Sequence, residues 1–213
     1  MRLSILTLVA ICFLLAPEVA QAERKHAPHS VSVSTDSLTW VIGGYSLIGT
    51  YIAKELPSFR FHGEVFGIEL PESILDAHEP NRGEGWQRRI DGALMLSVDH
   101  HPFAGLRGFH WGAGFNVQRS TLGRRNHQGS STYETFEPIV RVGYQWFPVT
   151  DGGLFITPYA VLGFPIHLNE PPAIDGEVYG EAAILPVASV QIGWRFPLTR
   201  KAKSSPDRQP TQE

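Results

Sequence analysis

Apolar and polar residues alternate with a period of two along most of the chain. Between residues 185 and 196, every second residue from Pro186 to Phe196 is apolar, and the residues between them are mostly small or polar. Such alternation predicts a β-strand whose two faces meet different environments. The same pattern predicts five further strands, at 59–65, 90–98, 109–117, 136–146 and 154–168.

The pattern is less regular near the N-terminus. Val31 is out of phase with Leu38, which indicates a bulge near Asp36. The glycine pair at 43–44 suits a hairpin turn. We therefore predict two more strands, for a total of eight, at 37–42, with an earlier start left open, and at 45–54.

The connections between these strands alternate in length. Short turns at 55–58, 102–106 and 148–152 alternate with long polar segments at 71–87, 120–132 and 169–183. Short turns on one side and long loops on the other are typical of outer-membrane β-barrels. An even strand number would also leave both chain ends on the side of the short turns.

The N-terminal segment has the features of a secretory signal peptide. Arg2 precedes an apolar run over 3–15, and Ala20-Gln21-Ala22 fits a small-x-small cleavage site. The run is too short for a transmembrane helix, although a retained helical anchor is the alternative. The predicted organisation is a signal peptide at 1–22, an N-terminal segment at 23–36, a barrel at 37–196 and a disordered polar tail at 197–213.

The amino-acid composition limits the kinds of site and partner that the chain can have. The only cysteine, Cys12, lies in the signal peptide, so a mature chain would have neither disulfides nor thiolate metal sites. The net charge is −3, which does not suggest a nucleic-acid partner. Charged residues make up 18% of the chain, below the usual quarter for soluble domains, while glycine and aromatic residues are frequent.

The two faces of the strands predict which side meets lipid. The polar faces carry small and amide residues with charges of both signs, whereas the apolar faces end in aromatic residues. Aromatic girdles at strand ends suit a lipid-facing belt, and an eight-stranded interior is just wide enough to be filled by side chains. We predict an all-β, eight-stranded antiparallel transmembrane up-and-down barrel with a plugged polar interior, and lipid-interface aromatics at Trp111, Tyr144, Trp146, Trp194 and Phe196.

The signal peptide, the final strand VASVQIGWRF and the similar segment RVGYQWFP carry a resemblance to a known family. The chain resembles small outer-membrane barrels of the OmpA/OmpX architecture and, more closely, the large set of outer-membrane β-barrel proteins without an assigned role. The resemblance implies an outer-membrane location, contact with outer-membrane lipids and recognition by the barrel-assembly machinery, which reads a terminal phenylalanine. Here Phe196 is followed by Pro197 and the tail, so that recognition would need an internal signal.

Charged residues on the polar faces have two interpretations. They could form a lumen that selects or gates solutes, or a structural network that neutralises buried charge, as the cost of removing charges from water demands. We favour the structural network. The predicted members of this lumen network are Arg60, Glu64, Asp91, Glu137, Arg141 and Arg195.

No motif identifies a cofactor, a metal site or a catalytic set. The nine histidines lack carboxylate or cysteine partners at metal-site spacing, and phosphate-cradling motifs are absent from the sequence. Lipid A deacylases carry a His-x-Ser-Asn stretch, whereas here His167 is followed by Leu168, and Ser189 has no adjacent histidine. We expect no cofactor, no metal and no catalytic residues.

Three functions remain open. The first is a non-enzymatic structural or interaction protein integral to the outer membrane. The second is a lipid A-modifying enzyme, a deacylase or acyltransferase, on the same fold, and the third is a soluble periplasmic lipocalin-like binder. The loop at 71–87 could bind an external ligand of unknown identity through Ile74, Leu75 and Trp86, or fold over the barrel mouth. We favour the first function.

Overall fold

The computed structural model describes residues 29–102, 106–149 and 153–198, so the predicted signal peptide and residues 199–213 of the predicted tail lie outside it. Within the described residues, no helix is long and apolar enough to cross a membrane. The helices are α1 (Ser37–Val41), α2 (Glu72–Leu75) and a 3-10 turn (Glu79–Asn81). The strands are β1 (Ser30–Asp36), β2 (Tyr45–Ile52), β3 (Phe59–Leu70), β4 (Trp86–His100), β5 (Gly108–Arg124), β6 (Ser131–Gln145), β7 (Leu154–Gly163), β8 (Ile166–His167), β9 (Ala173–Ile174), β10 (Glu177–Val178) and β11 (Leu185–Pro197).

Eight long strands, β1 to β7 and β11, form a closed barrel. Each pairs antiparallel with its neighbours along the chain, β5 pairs with β6, and β11 pairs with both β7 and β1, so every long strand has two neighbours. The prediction of an eight-stranded antiparallel up-and-down barrel is confirmed. Closure matters because it leaves no long strand with an unpaired backbone edge.

The two ends of the barrel differ in their connections. The turn end carries the connections at 53–58, 101–107 and 146–153 and both ends of the described chain. The loop end carries the connections at 37–44, 71–85, 125–130 and 164–184. The segment 120–132, predicted as a long loop, is mostly strand, because β5 and β6 pair up to Leu122 and Ser131. The outward residues there are Thr121, Gly123 and Thr132, which are polar or small rather than apolar, so the alternation does not show in the sequence.

The prediction of a first strand at 37–42 is wrong. The first strand is β1, within the predicted N-terminal segment, and residues 37–41 form helix α1. Asp36 caps this helix, because its carboxylate accepts a hydrogen bond from the Leu38 N–H at 2.8 Å. Gly43 then turns the chain with a φ of +85°, a backbone conformation that favours glycine. The change of phase that suggested a bulge therefore marks a change of element.

The predicted strand at 154–168 is interrupted. β7 ends at Gly163, and the short β8 continues the pairing with β6. Between them Pro165 has no N–H to donate to a strand ladder, and the Phe164 N–H donates to the Pro138 carbonyl at 3.0 Å. The residues predicted to face outward do so both before the break, as Leu162 does, and after it, as Ile166 does.

Candidate functional site

The barrel is polar inside and apolar outside. Arg141 on β6 is 4% exposed, whereas its neighbours Val140 and Val142 are 47% and 38% exposed. The same contrast runs around the barrel, since serine, threonine, amide and charged side chains are buried inside and large apolar side chains are exposed. We call the outward set the apolar belt; its members are Val33, Leu47, Val65, Leu94, Leu96, Val98, Phe115, Val117, Val140, Val142, Leu162 and Ile192.

The five residues predicted as interface aromatics all lie on the outer surface. Trp111, Trp146, Trp194 and Phe196 are exposed, and Tyr144 is half-buried. They cluster near the turn end: Trp111 pairs with His100 at the end of β4, and Trp194 pairs with Leu154 at the start of β7. These five residues form an aromatic girdle below the apolar belt.

Asp99 is the centre of an ionic cluster inside the barrel. The carboxylate is fully buried, and its Oδ2 atom lies 2.9 Å from His62 Nε2, 3.6 Å from Arg60 Nη2 and 3.5 Å from His110 Nε2. Its other oxygen lies 3.4 Å from Arg141 Nε. We call these five residues the Asp99 cluster. Two buried guanidinium groups thus share one carboxylate, which fits the predicted structural use of lumen charge.

The register of the sheet brings the cluster together. Arg60 is opposite Asp99 on β3 and β4, and Gly112 on β5 is opposite both Asp99 and Arg141. Gly112 has no side chain, so Asp99 and Arg141 can meet across β5. His62 is held from its other side, because its Nδ1 lies 3.0 Å from the Thr50 hydroxyl.

Gly112→Ala is expected to destabilise the barrel by about 1–3 kcal/mol, the usual cost of overpacking. A Cβ at this position would collide with the Asp99 carboxylate and lie 2.5 Å from the Val98 carbonyl oxygen. Gly49→Ala is the matched control, because its Cβ would meet only the Gly63 carbonyl oxygen, at 4.0 Å. Chemical unfolding of the refolded protein measures both effects, and equal stability of the two variants would contradict the close approach at Gly112.

The other predicted lumen residues, with one exception, lie on the inner face. Glu64 and Glu137 are buried, and Glu137 accepts a hydrogen bond from the Asn116 amide at 3.1 Å. Arg195 is half-buried near the turn end, with its guanidinium 4.4 Å from the centre of the Phe147 ring. Glu137 and Arg141, which share a wall, form no ion pair with each other among the described residues.

The prediction that Asp91 faces the lumen is wrong. Asp91 is exposed on the outer surface, where it lies 2.7 Å from Arg89 Nε and accepts a hydrogen bond from the Thr121 hydroxyl at 2.6 Å. The register of β4 against β5 shifts between Ile90 and Gly92. This bulge reverses which face each residue joins, so Ile90 points inward and Asp91 outward.

Asp36 is a lumen residue that the sequence reasoning missed. Its carboxylate caps α1 and accepts hydrogen bonds from the hydroxyls of Ser189 and Tyr159. Ser189, weighed as a possible nucleophile, is thus engaged by a carboxylate, whereas His167 lies 3.5 Å from Glu181. No hydrogen bond joins Ser189 and His167, both of which are described. The capping position of Asp36, just before α1, was the available signal.

Apolar clusters lie at both ends of the lumen. At the loop end, Arg88 Nη1 lies 2.5 Å from Glu181, and Asn81 exchanges two hydrogen bonds with Gly180, of 2.8 and 3.0 Å, which join two long connections. The loop-end cluster contains Leu75, Trp86, Leu122, Tyr133, Ile174 and Tyr179. The turn-end cluster contains Ile52, Leu106, Phe147 and Phe155.

The loop at 71–87 folds over the barrel mouth. Leu75 and Trp86, two of its three predicted anchors, are buried in the loop-end cluster, whereas Ile74 is exposed. The exposed surface of this loop is therefore mainly polar. Among the described residues, no group of three or more histidine, cysteine or acidic side chains could hold a metal ion.

Comparisons with known proteins add little to this description. No protein-family model matches the sequence, and no curated protein matches it. Among solved structures, the chain is similar to the crystal structure of neisserial surface protein A, with 10% sequence identity and a TM-score of 0.40, over 79% of this chain and 94% of that chain. The fold assignment rests on the strand pairing of this chain, which closes an eight-stranded antiparallel barrel.

Proposed function

We propose that the chain is an integral protein of the bacterial outer membrane whose sealed barrel serves a non-enzymatic structural or interaction role. The observation that carries this proposal is the reversed polarity of the barrel. Exposed apolar side chains surround it, and the buried charges of the Asp99 cluster lie inside. Monomeric soluble proteins rarely expose contiguous apolar patches larger than a few hundred Å².

A bilayer accounts for this polarity. Lipid tails cover apolar side chains without cost, and a closed barrel satisfies every strand hydrogen bond internally, as a membrane interior requires. The aromatic girdle would then lie at the headgroups of one leaflet. With the usual orientation of such barrels, the turn end faces the periplasm and the loop end faces the outside.

The partners follow from this placement. Outer-membrane lipids would contact the apolar belt, and the barrel-assembly machinery would insert the chain. Because Phe196 is followed by Pro197, that machinery would have to read a signal at the end of β11 rather than a terminal residue. With the lumen filled, the loop end is the surface left for external partners.

Cell fractionation tests the membrane assignment. The full chain, expressed in a Gram-negative host, is expected in the outer-membrane fraction and is expected to stay there after a urea wash. The soluble periplasmic binder, the competing interpretation, predicts recovery in the osmotic-shock extract without detergent. That recovery would overturn the proposal.

The barrel is expected not to conduct ions. An eight-stranded interior is just wide enough to be filled by side chains, and apolar clusters lie at both of its ends. Purified protein in planar bilayers should therefore show negligible sustained current. Steady, ion-selective openings of porin size would contradict a plugged lumen and favour a transport role instead.

A further inference from the structure

The connection at 37–44 differs in composition from the other connections of the loop end. It reads SLTWVIGG and contains no charged residue. The connections at 71–85, 125–130 and 164–184 all carry charged side chains, as expected for segments in water. Helix α1 lies within this uncharged connection.

The outer side of α1 is strongly apolar. Val41 is 81% exposed and Trp40 is 60% exposed, while Thr39 on the inner side is buried. The Trp40 indole N–H donates to the Thr35 hydroxyl at 2.5 Å. The one polar group of this side chain is therefore satisfied within the protein, and its ring does not need water.

The strands that flank α1 are too short to span a membrane alone. β1 has 7 residues and β2 has 8, whereas β4 and β5 have 15 and 17. A tilted strand needs about 9–11 residues to cross the hydrocarbon core. Helix α1 therefore lies at the height along the barrel axis where the longer strands are still within the apolar belt or only just beyond it toward the loop end.

The exposed face of α1 is continuous with the apolar belt. Tyr45 and Leu47 on β2 and Val33 on β1 are exposed on the outer surface next to it. Burial of this face in lipid would complete the apolar span that β1 and β2 leave short. Trp40 suits such a site, because tryptophan is enriched at the headgroup level of membranes.

We propose that the connection at 37–44 inserts the apolar face of α1, with Trp40 and Val41, into the outer leaflet of the membrane. This inference rests on the proposed outer-membrane location. On the side of β1 and β2, the loop end of the barrel would then be embedded in lipid. On the side of β4 to β6, the strands would extend beyond the membrane into water, where they carry outward charges such as Arg89, Asp91 and Arg119. The barrel is thus attached to the outer leaflet asymmetrically.

Site-directed spin labelling tests the inference. Cys12 is replaced by serine, and a nitroxide is attached to one of three exposed positions through Val41→Cys, Val98→Cys or Val178→Cys. Val98 belongs to the belt, and Val178 lies in the β9–β10 hairpin of the loop end. The protein is refolded into phosphatidylcholine vesicles, and collisions with oxygen are compared with collisions with a water-soluble nickel chelate.

We expect the ratio of oxygen to nickel collisions at positions 41 and 98 to be several-fold higher than at position 178. A high ratio at 98 with a low ratio at 41 would overturn the inserted α1 and leave the membrane assignment standing. A low ratio at both 41 and 98 would overturn the proposed function itself. Quenching of Trp40 by brominated lipid, with the other four tryptophans changed to phenylalanine, provides a label-free second measurement.

Discussion

Val140→Arg is expected to destabilise the barrel in a lipid bilayer by about 2–4 kcal/mol, the cost of arginine near the midplane of a lipid-facing surface. Val140 lies near the middle of the outward face of β6 and is paired with Ala113 and Leu162. A guanidinium there would have only apolar neighbours and lipid tails around it. Denaturant unfolding from vesicles measures the change in the free energy of unfolding.

Val178→Arg is the matched control. Val178 is also an exposed valine, but it lies in the β9–β10 hairpin of the loop end, where an arginine would meet water. The expected change there is within about 0.5 kcal/mol, as for ordinary surface substitutions. If both variants unfold at the same denaturant concentration as the parent protein, the outward face of β6 does not contact lipid.

Asp99→Asn is expected to cost about 3–5 kcal/mol, the usual penalty for breaking a buried ion pair. The substitution keeps the size of the side chain but leaves the buried guanidinium groups of Arg60 and Arg141 without their shared carboxylate. Asp175→Asn is the control, because Asp175 pairs with His127 on the surface, at 2.7 Å. Exposed pairs contribute only about 0–1 kcal/mol.

The double variant Asp99→Asn with Arg60→Met separates lost charge balance from lost packing. Arg60→Met removes one of the two guanidinium groups that Asp99→Asn leaves without a carboxylate. Part of the lost stability should return, because one fewer unpaired charge is then buried. The same unfolding experiment measures it. A double variant less stable than Asp99→Asn by the full cost of Arg60→Met alone would show that Asp99 does not compensate Arg60.

The strand count and the polarity of the faces could be read from the sequence because a strand alternates with a period of exactly two. The final strand, predicted at 185–196, is observed as Leu185–Pro197. Predicted faces stayed correct wherever the ladder was regular, as for Arg141 and Val142. Alternation therefore carries the information about the barrel.

Local departures from the regular ladder could not be read in this way. The bulge at Asp91 reverses the phase without leaving a distinct residue pattern, and it alone places this side chain outside. Residues 37–42 alternate as a strand would, yet the Asp36 cap and the Gly43 turn favour a helix. In both cases the backbone conformation of one or two residues decided which element formed or which way its side chains point.

The Asp99 cluster required information that one strand does not contain. Its members come from β3, β4, β5 and β6, and they meet because the register aligns Arg60, Asp99, Gly112 and Arg141. Alternation shows that a residue points inward, but not which residue on the next strand lies opposite. Register therefore decides which buried charges pair.

Adjacent residues on β6 offer the most direct test of the central claim, that the outer face of this barrel contacts lipid. Ile139 is buried inside the barrel, and Val140 is exposed outside it. In lipid nanodiscs with methyl-labelled protein, we predict nuclear Overhauser contacts from the lipid acyl chains to the Val140 methyl groups and none to the Ile139 methyl groups. Contacts from water to the Val140 methyl groups, without acyl-chain contacts, would contradict the account.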